Sequence, residues 1–318
     1  MTIANDQIKR LLSSVFPQRS VSDLEVLHGG LINTNVKVSF ESQAPVVLRL
    51  YRDGADVCKK EVALHNLVSQ MVKVPRILHA DPAPPSFAVL EFVEGITFQQ
   101  LTRTGDLQAI QQASTSVGET LASIGRFHFP TCGRLLVDQG ELIVGAKYVE
   151  GPNPITKLLD QFLTSPVCAS RLGRELTERT YLFTRECSGM LPDLEERPTL
   201  VHSDFGNRNI LVHEKDGRWE VAAVLDWEFA FSGSPLLDVG HFLRYERMNN
   251  PLREPHFSRA YVENGGVLPD NWREIARVID LTALVQILTI ENLPTDVELE
   301  LIELITATVD RCDMTDML

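Results

Sequence analysis

The first hundred residues contain short runs of apolar and β-branched residues, a pattern typical of strands. Three such runs, at residues 24–30, 31–40 and 44–53, follow one another with short connections and predict an antiparallel sheet. Apolar residues at helical spacing precede them between Ile8 and Val15, and the same spacing recurs between Val57 and Met71. This part of the chain is therefore predicted to be a sheet with one helix before it and one beside it.

From Thr97 onward the pattern changes to helical spacing, most clearly from Leu107 to Ile124, where apolar residues recur at steps of three or four. Strand-like runs are also present at residues 199–202, 209–213 and 219–227. An antiparallel sheet followed by a larger and mainly helical part indicates an α+β fold.

The turn Asp216-Gly217 sets the expected pairing of the last two of these runs. Asp-Gly is typical of a two-residue hairpin turn, and a hairpin centred on it places Asn209 opposite Val224. Asp226 lies two residues further along the same strand, so its side chain is expected on the same face as that of Asn209. An amide oxygen beside a carboxylate suits a magnesium ion, whose other positions are filled by water and phosphate oxygens.

A second carboxylate, Asp204, lies in the polar loop five residues before Asn209. Held apart from the metal pair, it can accept or orient the proton of a hydroxyl group. The competing interpretation is that Asp204, Asn209 and Asp226 are ordinary turn residues in an exposed loop. Their position between apolar strands, together with the hairpin, favours the catalytic interpretation.

The spacing His202-x-Asp204-x-x-x-x-Asn209, with Asp226 near the end of the next strand, resembles the catalytic loop and metal-binding aspartate of the protein-kinase-like phosphotransferases. Because LDWE stands where protein kinases have DFG, the chain looks more like the aminoglycoside phosphotransferase and choline kinase branch. The resemblance implies a bilobal protein-kinase-like fold. It also implies ATP, or alternatively GTP, as the phosphoryl donor and Mg²⁺ as the metal.

The resemblance assigns roles in the nucleotide-binding lobe, which is expected at residues 1–94. Gly29 and Gly30 are expected to bring backbone amides close to a phosphate, although two glycines also suit an ordinary hairpin turn. Arg49 takes the position of a cation, usually lysine, that binds the α- and β-phosphates. Glu61 is the only charge on the apolar stripe of its helix. A carboxylate among buried positions needs a partner, and Arg49 is the candidate.

The second lobe, expected at residues 95–318, is implied to carry the catalytic groups and the acceptor. Asp238 matches the aspartate that braces the catalytic loop by accepting its backbone amides, and His202 is expected to support this loop rather than to react. Between the lobes, backbone groups are expected to hold the nucleotide base at the hinge residues Glu91, Phe92 and Val93.

The composition indicates the class of protein and the cellular compartment that we expect. Apolar residues make up 44% of the chain and charged residues 23%, as in soluble globular proteins. Five scattered cysteines lack the spacing of a disulfide framework or a zinc site, which fits a reducing cytosol. The N-terminal residues lack a continuous apolar run and no later stretch reaches the length of a membrane span. We therefore expect a cytoplasmic protein without a membrane partner.

The net charge of −13 is concentrated in the second part of the chain, because residues from Gly151 onward carry 28 acidic and 16 basic side chains. This distribution disfavours nucleic acid and favours a cationic small molecule, with solubility as the other explanation. Only the eight residues from Trp227 to Ser234 separate Asp226 from Pro235. Protein kinases seat a peptide on a long segment at this place, so a small acceptor is favoured.

The expected function is transfer of the γ-phosphoryl group of ATP to a hydroxyl of a small molecule, first of all an aminoglycoside-like or other cationic amino sugar. A metabolite kinase acting on choline, fructosamine or a similar compound is the alternative acceptor class. A catalytically silent nucleotide-binding protein is an alternative of another kind, but Asp204, Asn209 and Asp226 are all present, which disfavours it.

Overall fold

The computed structural model describes residues 5–27, 33–150, 153–191, 197–247 and 252–310. In the first part of the chain a helix precedes three strands, and a second helix separates these from two more. The elements are α1 (Asn5–Val15), β1 (Val21–Leu27), β2 (Thr34–Phe40), β3 (Val46–Leu50), α2 (Ala55–Val68), β4 (Ile77–Asp81) and β5 (Phe87–Glu91). The strands pair antiparallel in the order β1-β2-β3-β5-β4.

The two faces of this sheet are covered by different helices. Val36 of β2 and Leu48 of β3 are fully buried in one cluster with Ile8 of α1. On the other face, Tyr51 packs with Cys58 of α2. The two predicted helices therefore cover opposite faces of the sheet, although the second ends at Val68 and leaves Met71, predicted to be on its apolar stripe, 53% exposed.

The second part of the chain is larger and mainly helical. Its elements are β6 (Ile96–Thr97), α3 (Phe98–Thr104), α4 (Leu107–Ile124), β7 (Gly133–Asp138), β8 (Glu141–Val144), α5 (Pro154–Leu163), α6 (Pro166–Cys187), β9 (Thr199–Val201), β10 (Ile210–Lys215), β11 (Arg218–Val224), β12 (Phe231–Gly233), α7 (Leu236–Leu243), α8 (Glu254–Glu263), α9 (Trp272–Ile287) and α10 (Thr295–Asp310). Short 3-10 turns follow α6 and α7. This arrangement is the predicted bilobal α+β fold.

Gly95, the residue at which the second lobe is expected to begin, makes a close backbone contact. A Cβ atom on this residue would lie 2.8 Å from the carbonyl oxygen of Val212, so glycine is required for the approach. The next two residues, Ile96 and Thr97, form β6 and pair with Val212 and Leu211 of β10. The segment after the predicted hinge is thus held against the strand that follows the catalytic loop.

The hairpin of β10 and β11 turns at Asp216 and Gly217 as predicted, and both have the positive φ angles, 51° and 77°, of a two-residue hairpin turn. The predicted pairing at its open end is wrong by one residue, because Ile210 rather than Asn209 lies opposite Val224. The cause is a bulge between Leu211 and Val212, where the partner strand contains one extra residue.

The bulge changes how the predicted metal residues are brought together. The backbone oxygen of Asn209 accepts a hydrogen bond of 2.8 Å from Leu225, beyond the end of both strands. Asp226 follows with a φ of 66°, in the left-handed region, so strand alternation no longer determines its direction. The two residues are therefore neighbours because the chain bends after β11, and not because they share one face of a hairpin.

Helix α4 runs through the centre of the second lobe, with Val117 and Leu121 fully buried. It packs against α8, whose Phe257 is also fully buried. Gly118 lies at this contact, and a Cβ atom there would be 2.3 Å from the backbone oxygen of Phe257. Among the described residues, no helix combines the length and the apolar composition needed to cross a membrane.

We expect Gly118→Ala to lower the free energy of unfolding by about 1–3 kcal/mol, because the added methyl group forces α4 and α8 apart. Gly189→Ala is the matched control, since an added Cβ atom at Gly189 has no neighbour within 4 Å. Equilibrium urea denaturation measures both variants. A Gly118→Ala protein as stable as the wild type would contradict the described packing.

Candidate active site

The polar loop that follows β9 is held by Asp238, a fully buried residue in the first turn of α7. Its carboxylate oxygens accept the backbone N–H groups of His202 at 2.7 Å and of Ser203 at 2.9 Å. Ser203 has a φ of 70°, a strained conformation for a residue other than glycine. The two hydrogen bonds hold the loop in this conformation, as expected for a bracing aspartate.

His202 connects the loop with the residues after β11. It is fully buried and packs against Trp227, with ring centroids 4.6 Å apart. Its Nδ1 accepts the backbone N–H of Asp204 at 3.2 Å, so its other nitrogen, Nε2, carries the proton and donates it to the carbonyl oxygen of Leu225 at 2.9 Å. Burial lowers the pKa of His202 to about 4, so the ring is neutral at pH 7.

Asp204 is in direct contact with Asn209, and is not held apart from the predicted metal pair as the sequence suggested. The amide nitrogen of Asn209 donates to the Oδ2 atom of Asp204 at 2.7 Å and to its backbone oxygen at 3.0 Å. Asp204 is exposed to solvent. Because nearby protein still displaces part of its hydration, and because Asp226 is charged, the pKa of this carboxyl is raised to about 6.

Arg49 lies between the two lobes and is 4% exposed. Its Nη2 atom is 2.5 Å from Oδ1 of Asp226, and its Nε atom is 2.9 Å from Oε2 of Glu61, an ion pair without an aligned hydrogen bond. Burial by itself would lower the pKa of Arg49, but Glu61 and Asp226 raise it above its ordinary value. The expected Arg49–Glu61 pair is therefore present, and the same guanidinium also contacts the predicted metal aspartate.

Two residues that the sequence analysis did not single out complete this cluster. Glu228 is 3.8 Å from Nη2 of Arg49, and its Oε2 atom accepts a hydrogen bond of 2.7 Å from the side chain of Asn33. Asn33 in turn accepts the backbone N–H of Arg52 at 3.2 Å. Desolvation and the charge of Asp226 raise the pKa of Glu228 to about 7.

A sequence signal for Glu228 did exist, because it lies two residues after Asp226 in the motif LDWE. Its partner Asn33 is 195 residues away in the chain and carries no comparable signal. The hydrogen bond between them joins the start of β2 in the first lobe to the residues after β11 in the second.

The predicted hinge residues lie at the end of β5 and just after it. Glu91 ends β5 opposite Val46, and its carboxylate pairs with Nε of Arg76 at 2.8 Å. The ring of Phe92 lies under the ammonium group of Lys37, 4.3 Å from its centroid, and Val93 is half-buried. These side chains are thus engaged in structural contacts. The predicted phosphate-loop residues Gly29 and Gly30 lie outside the described residues.

A family model described as "Phosphotransferase enzyme family" matches residues 23–277, which is most of the chain. The chain belongs to the phosphotransferase enzyme family. The predicted family and the predicted class of enzyme, a small-molecule kinase, are thereby confirmed.

Solved structures of aminoglycoside phosphotransferases have the same fold as this phosphotransferase. A thermostable mutant of APH(4)-Ia, in ternary complex with AMP-PNP and hygromycin B, is 20% identical with a TM-score of 0.67, and the match covers 98% of this chain and 100% of that one. The GDP and kanamycin complex of APH(2")-IIia is 17% identical with a TM-score of 0.71, covering 96% and 99% of the two chains. These matches confirm the protein-kinase-like fold.

The curated relatives match a shorter part of the phosphotransferase. Acyl-CoA dehydrogenase family member 11 of Pongo abelii is 31% identical over 157 residues, which are 49% of this chain and 18% of that protein. The human protein of the same name is 40% identical over 78 residues, 24% of this chain and 10% of that protein. The match thus spans less than a fifth of the length of these relatives.

We expect Asp238→Ala to lower the free energy of unfolding by about 2–5 kcal/mol, because a buried and a partly buried backbone N–H group lose their acceptor. Asp238→Asn keeps one acceptor oxygen and should cost less. Urea denaturation gives both values. If Asp238→Ala were no less stable than Asp238→Asn, the aspartate would not be what holds the loop at His202 and Ser203.

Proposed function

We propose that this phosphotransferase moves the γ-phosphoryl group of ATP, with GTP as the alternative donor, to a hydroxyl group of a small molecule. The observation that carries the proposal is the contact between Asp204 and Asn209 beside the carboxylate of Asp226, to which Arg49 is bound. Phosphoryl transfer requires the protein to position the reactants and to compensate charge, and it requires little covalent chemistry from the protein. A carboxylate base can position the acceptor, while oxygen ligands for a metal ion and a cation can compensate the charge of the phosphates.

In this proposal Asp204 is the catalytic base that accepts or orients the proton of the acceptor hydroxyl. Its raised pKa brings it closer to neutral pH, where a base is most effective. Asn209 fixes the direction of its carboxylate. His202 and Asp238 hold the loop backbone and do not take part in the reaction.

Magnesium fits the residues present. The side-chain N–H of Asn209 donates to Asp204, so the Oδ1 atom of Asn209 can bind the metal. One carboxylate oxygen of Asp226 is bound to Arg49, and the other can also bind the metal. Oxygen donors of this kind are the ligands that Mg²⁺ prefers. Asn209 and Asp226 would hold the ion, which neutralises phosphate charge when bound. Neighbours of the same fold were solved with AMP-PNP and GDP, which supports a nucleotide as the other ligand.

The nucleotide is assigned to the cleft between residues 1–94 and 95–318. Arg49, kept in place by Glu61, compensates phosphate charge together with the backbone of Gly29 and Gly30. Backbone groups of the hinge then hold the base at Glu91, Phe92 and Val93. We place the enzyme in the cytoplasm, where nucleoside triphosphates are available and scattered cysteines stay reduced.

Two acceptor classes have support from different observations. Hygromycin B and kanamycin are bound by neighbours of the same fold, and with the acidic second part of the chain this supports a cationic amino sugar. The curated relatives are named as acyl-CoA dehydrogenases, which supports a hydroxylated acyl-CoA. In both cases the short segment between Asp226 and α7 supports a small acceptor rather than a polypeptide.

The proposal is tested by incubating the enzyme with Mg–ATP and aminoglycosides, choline, fructosamines and hydroxyacyl-CoA thioesters, and detecting phosphorylated product by mass spectrometry. Asp204→Asn should lower kcat by about 10²–10⁴-fold, because the acceptor loses its base. Asp216→Asn, in the distant hairpin turn, is the control and should keep full activity. Wild-type rates with Asp204→Asn would refute the assigned base, and nucleotide binding without any transfer would favour a silent binding protein.

The rate should also depend on the protonation of Asp204. Below a pH of about 6 the carboxyl is increasingly protonated and can no longer accept the hydroxyl proton. We therefore expect kcat/KM to fall by about tenfold per pH unit on the acid side and to level off above pH 7. Initial rates between pH 4.5 and 8, on enzyme shown to be folded by circular dichroism, measure this. A flat profile would contradict the role of Asp204.

A further inference from the structure

The catalytic loop borders a surface of the second lobe that we call the acceptor face, formed by residues 203–209, 244–246, 252 and 253. The two parts are joined by a hydrogen bond of 3.0 Å from Arg253 to the side chain of Asn207. Asp204 and Asn209 stand at its edge toward the cleft between the lobes. An alcohol presented to Asp204 from the second lobe would therefore lie against this face.

Two acidic groups, one in this face and one beneath it, are already paired with arginines. Glu246 pairs with Nε of Arg253 at 2.6 Å and also accepts the backbone N–H groups of Leu252 and Arg253. Asp280, beneath the face, is fully buried and pairs with Arg244 at 2.6 Å. Glu300 accepts the hydroxyl of Tyr245 at 2.6 Å. Glu246 and Asp280 are thus not available to a cation at this place.

Arg208 is the basic group of the face that forms no ion pair in the described part of the chain. Its side chain is exposed and makes no hydrogen bond or ion pair with another residue in the described part of the chain. Both of its neighbours are fixed, because Asn207 is bound to Arg253 and Asn209 to Asp204. The guanidinium is therefore carried by an anchored backbone close to the catalytic carboxylate, and its charge acts on both Asp204 and Tyr245.

We infer that the acceptor carries an anionic group, a carboxylate or a phosphate, which Arg208 binds while Asp204 receives the hydroxyl. The inference rests on the proposed phosphotransferase function and favours a hydroxy acid or a hydroxyacyl-CoA over a cationic amino sugar. A planar guanidinium presents several N–H donors that match either anion. A polycationic acceptor would meet an uncompensated positive charge next to its reacting hydroxyl.

The test is isothermal titration of four probes onto the enzyme saturated with Mg–AMP-PNP: 3-hydroxybutyrate, 3-hydroxybutyryl-CoA, choline and kanamycin. Prior saturation prevents the adenine of the thioester from binding at the nucleotide site. The two anions distinguish a carboxylate from the phosphates of coenzyme A. We expect at least one anion to bind the wild type more tightly than either cation.

Arg208→Gln and Arg208→Glu identify the group that binds the anion. Arg208→Glu should raise the Kd for the anion at least tenfold, which corresponds to a loss of about 1.4 kcal/mol of binding free energy. Arg208→Gln should raise this Kd by a smaller factor. Arg218→Gln, an exposed arginine in the distant hairpin, is the matched control and should leave this Kd unchanged. The Kd for Mg–AMP-PNP should be the same in all variants, which shows that the nucleotide site is intact.

The inference is overturned if neither anion binds the wild type, if choline or kanamycin binds more tightly, or if Arg208→Glu binds the anion as well as the wild type does. Because AMP-PNP is not turned over, these outcomes do not depend on catalysis. Failure to transfer phosphate from ATP to any acceptor would count separately, against the proposed function.

Discussion

The site depends on the ion pairs that the buried guanidinium of Arg49 forms. Burying a charge costs several kcal/mol unless opposite charges compensate it, and here Glu61, Asp226 and Glu228 surround one cation. Lys60 adds a second positive charge, which acts on Glu228 and Glu61. Desolvation and the charge of Asp226 raise the pKa of Glu228 to about 7, so this carboxyl is only partly ionised at neutral pH. In the proposed function, the arrangement that joins the lobes also positions Asp226 for a metal ion.

The segment after β11 is where the lobes and the catalytic loop meet. Asp226 binds Arg49 of the first lobe, and Glu228 binds Asn33. The ring of Trp227 packs on His202. The carbonyl oxygen of Leu225 accepts a hydrogen bond from the same His202 ring. A substitution in this segment would therefore affect both Arg49 in the first lobe and the loop that carries Asp204. Asp238 holds the same end of the loop through the backbone of His202 and Ser203, so both contacts fix the chain just before Asp204.

The sequence predicted the fold class and the phosphotransferase family because their signals are local: a hairpin turn, apolar runs and a catalytic spacing. The pairing of Asn209 with Val224 failed, because a bulge has no signal in a run such as Val221 to Val224. The bond between Asn33 and Glu228 was missed, because it joins residues far apart in the chain. The net charge could not show which charged groups are paired, because it does not reveal that Glu246 is bound to Arg253 within the fold.

In the proposed function Asn209 and Asp226 hold the metal of a nucleotide while Asp204 faces its terminal phosphate. Crystallography of the complex with Mn²⁺ and AMP-PNP, using the anomalous signal of manganese, would locate the metal. We expect a manganese peak bonded to Oδ1 of Asn209 and to the carboxylate of Asp226, with Asp204 directed at the γ-phosphate. Manganese bound by other residues, or Asp204 turned away from the γ-phosphate, would refute these roles.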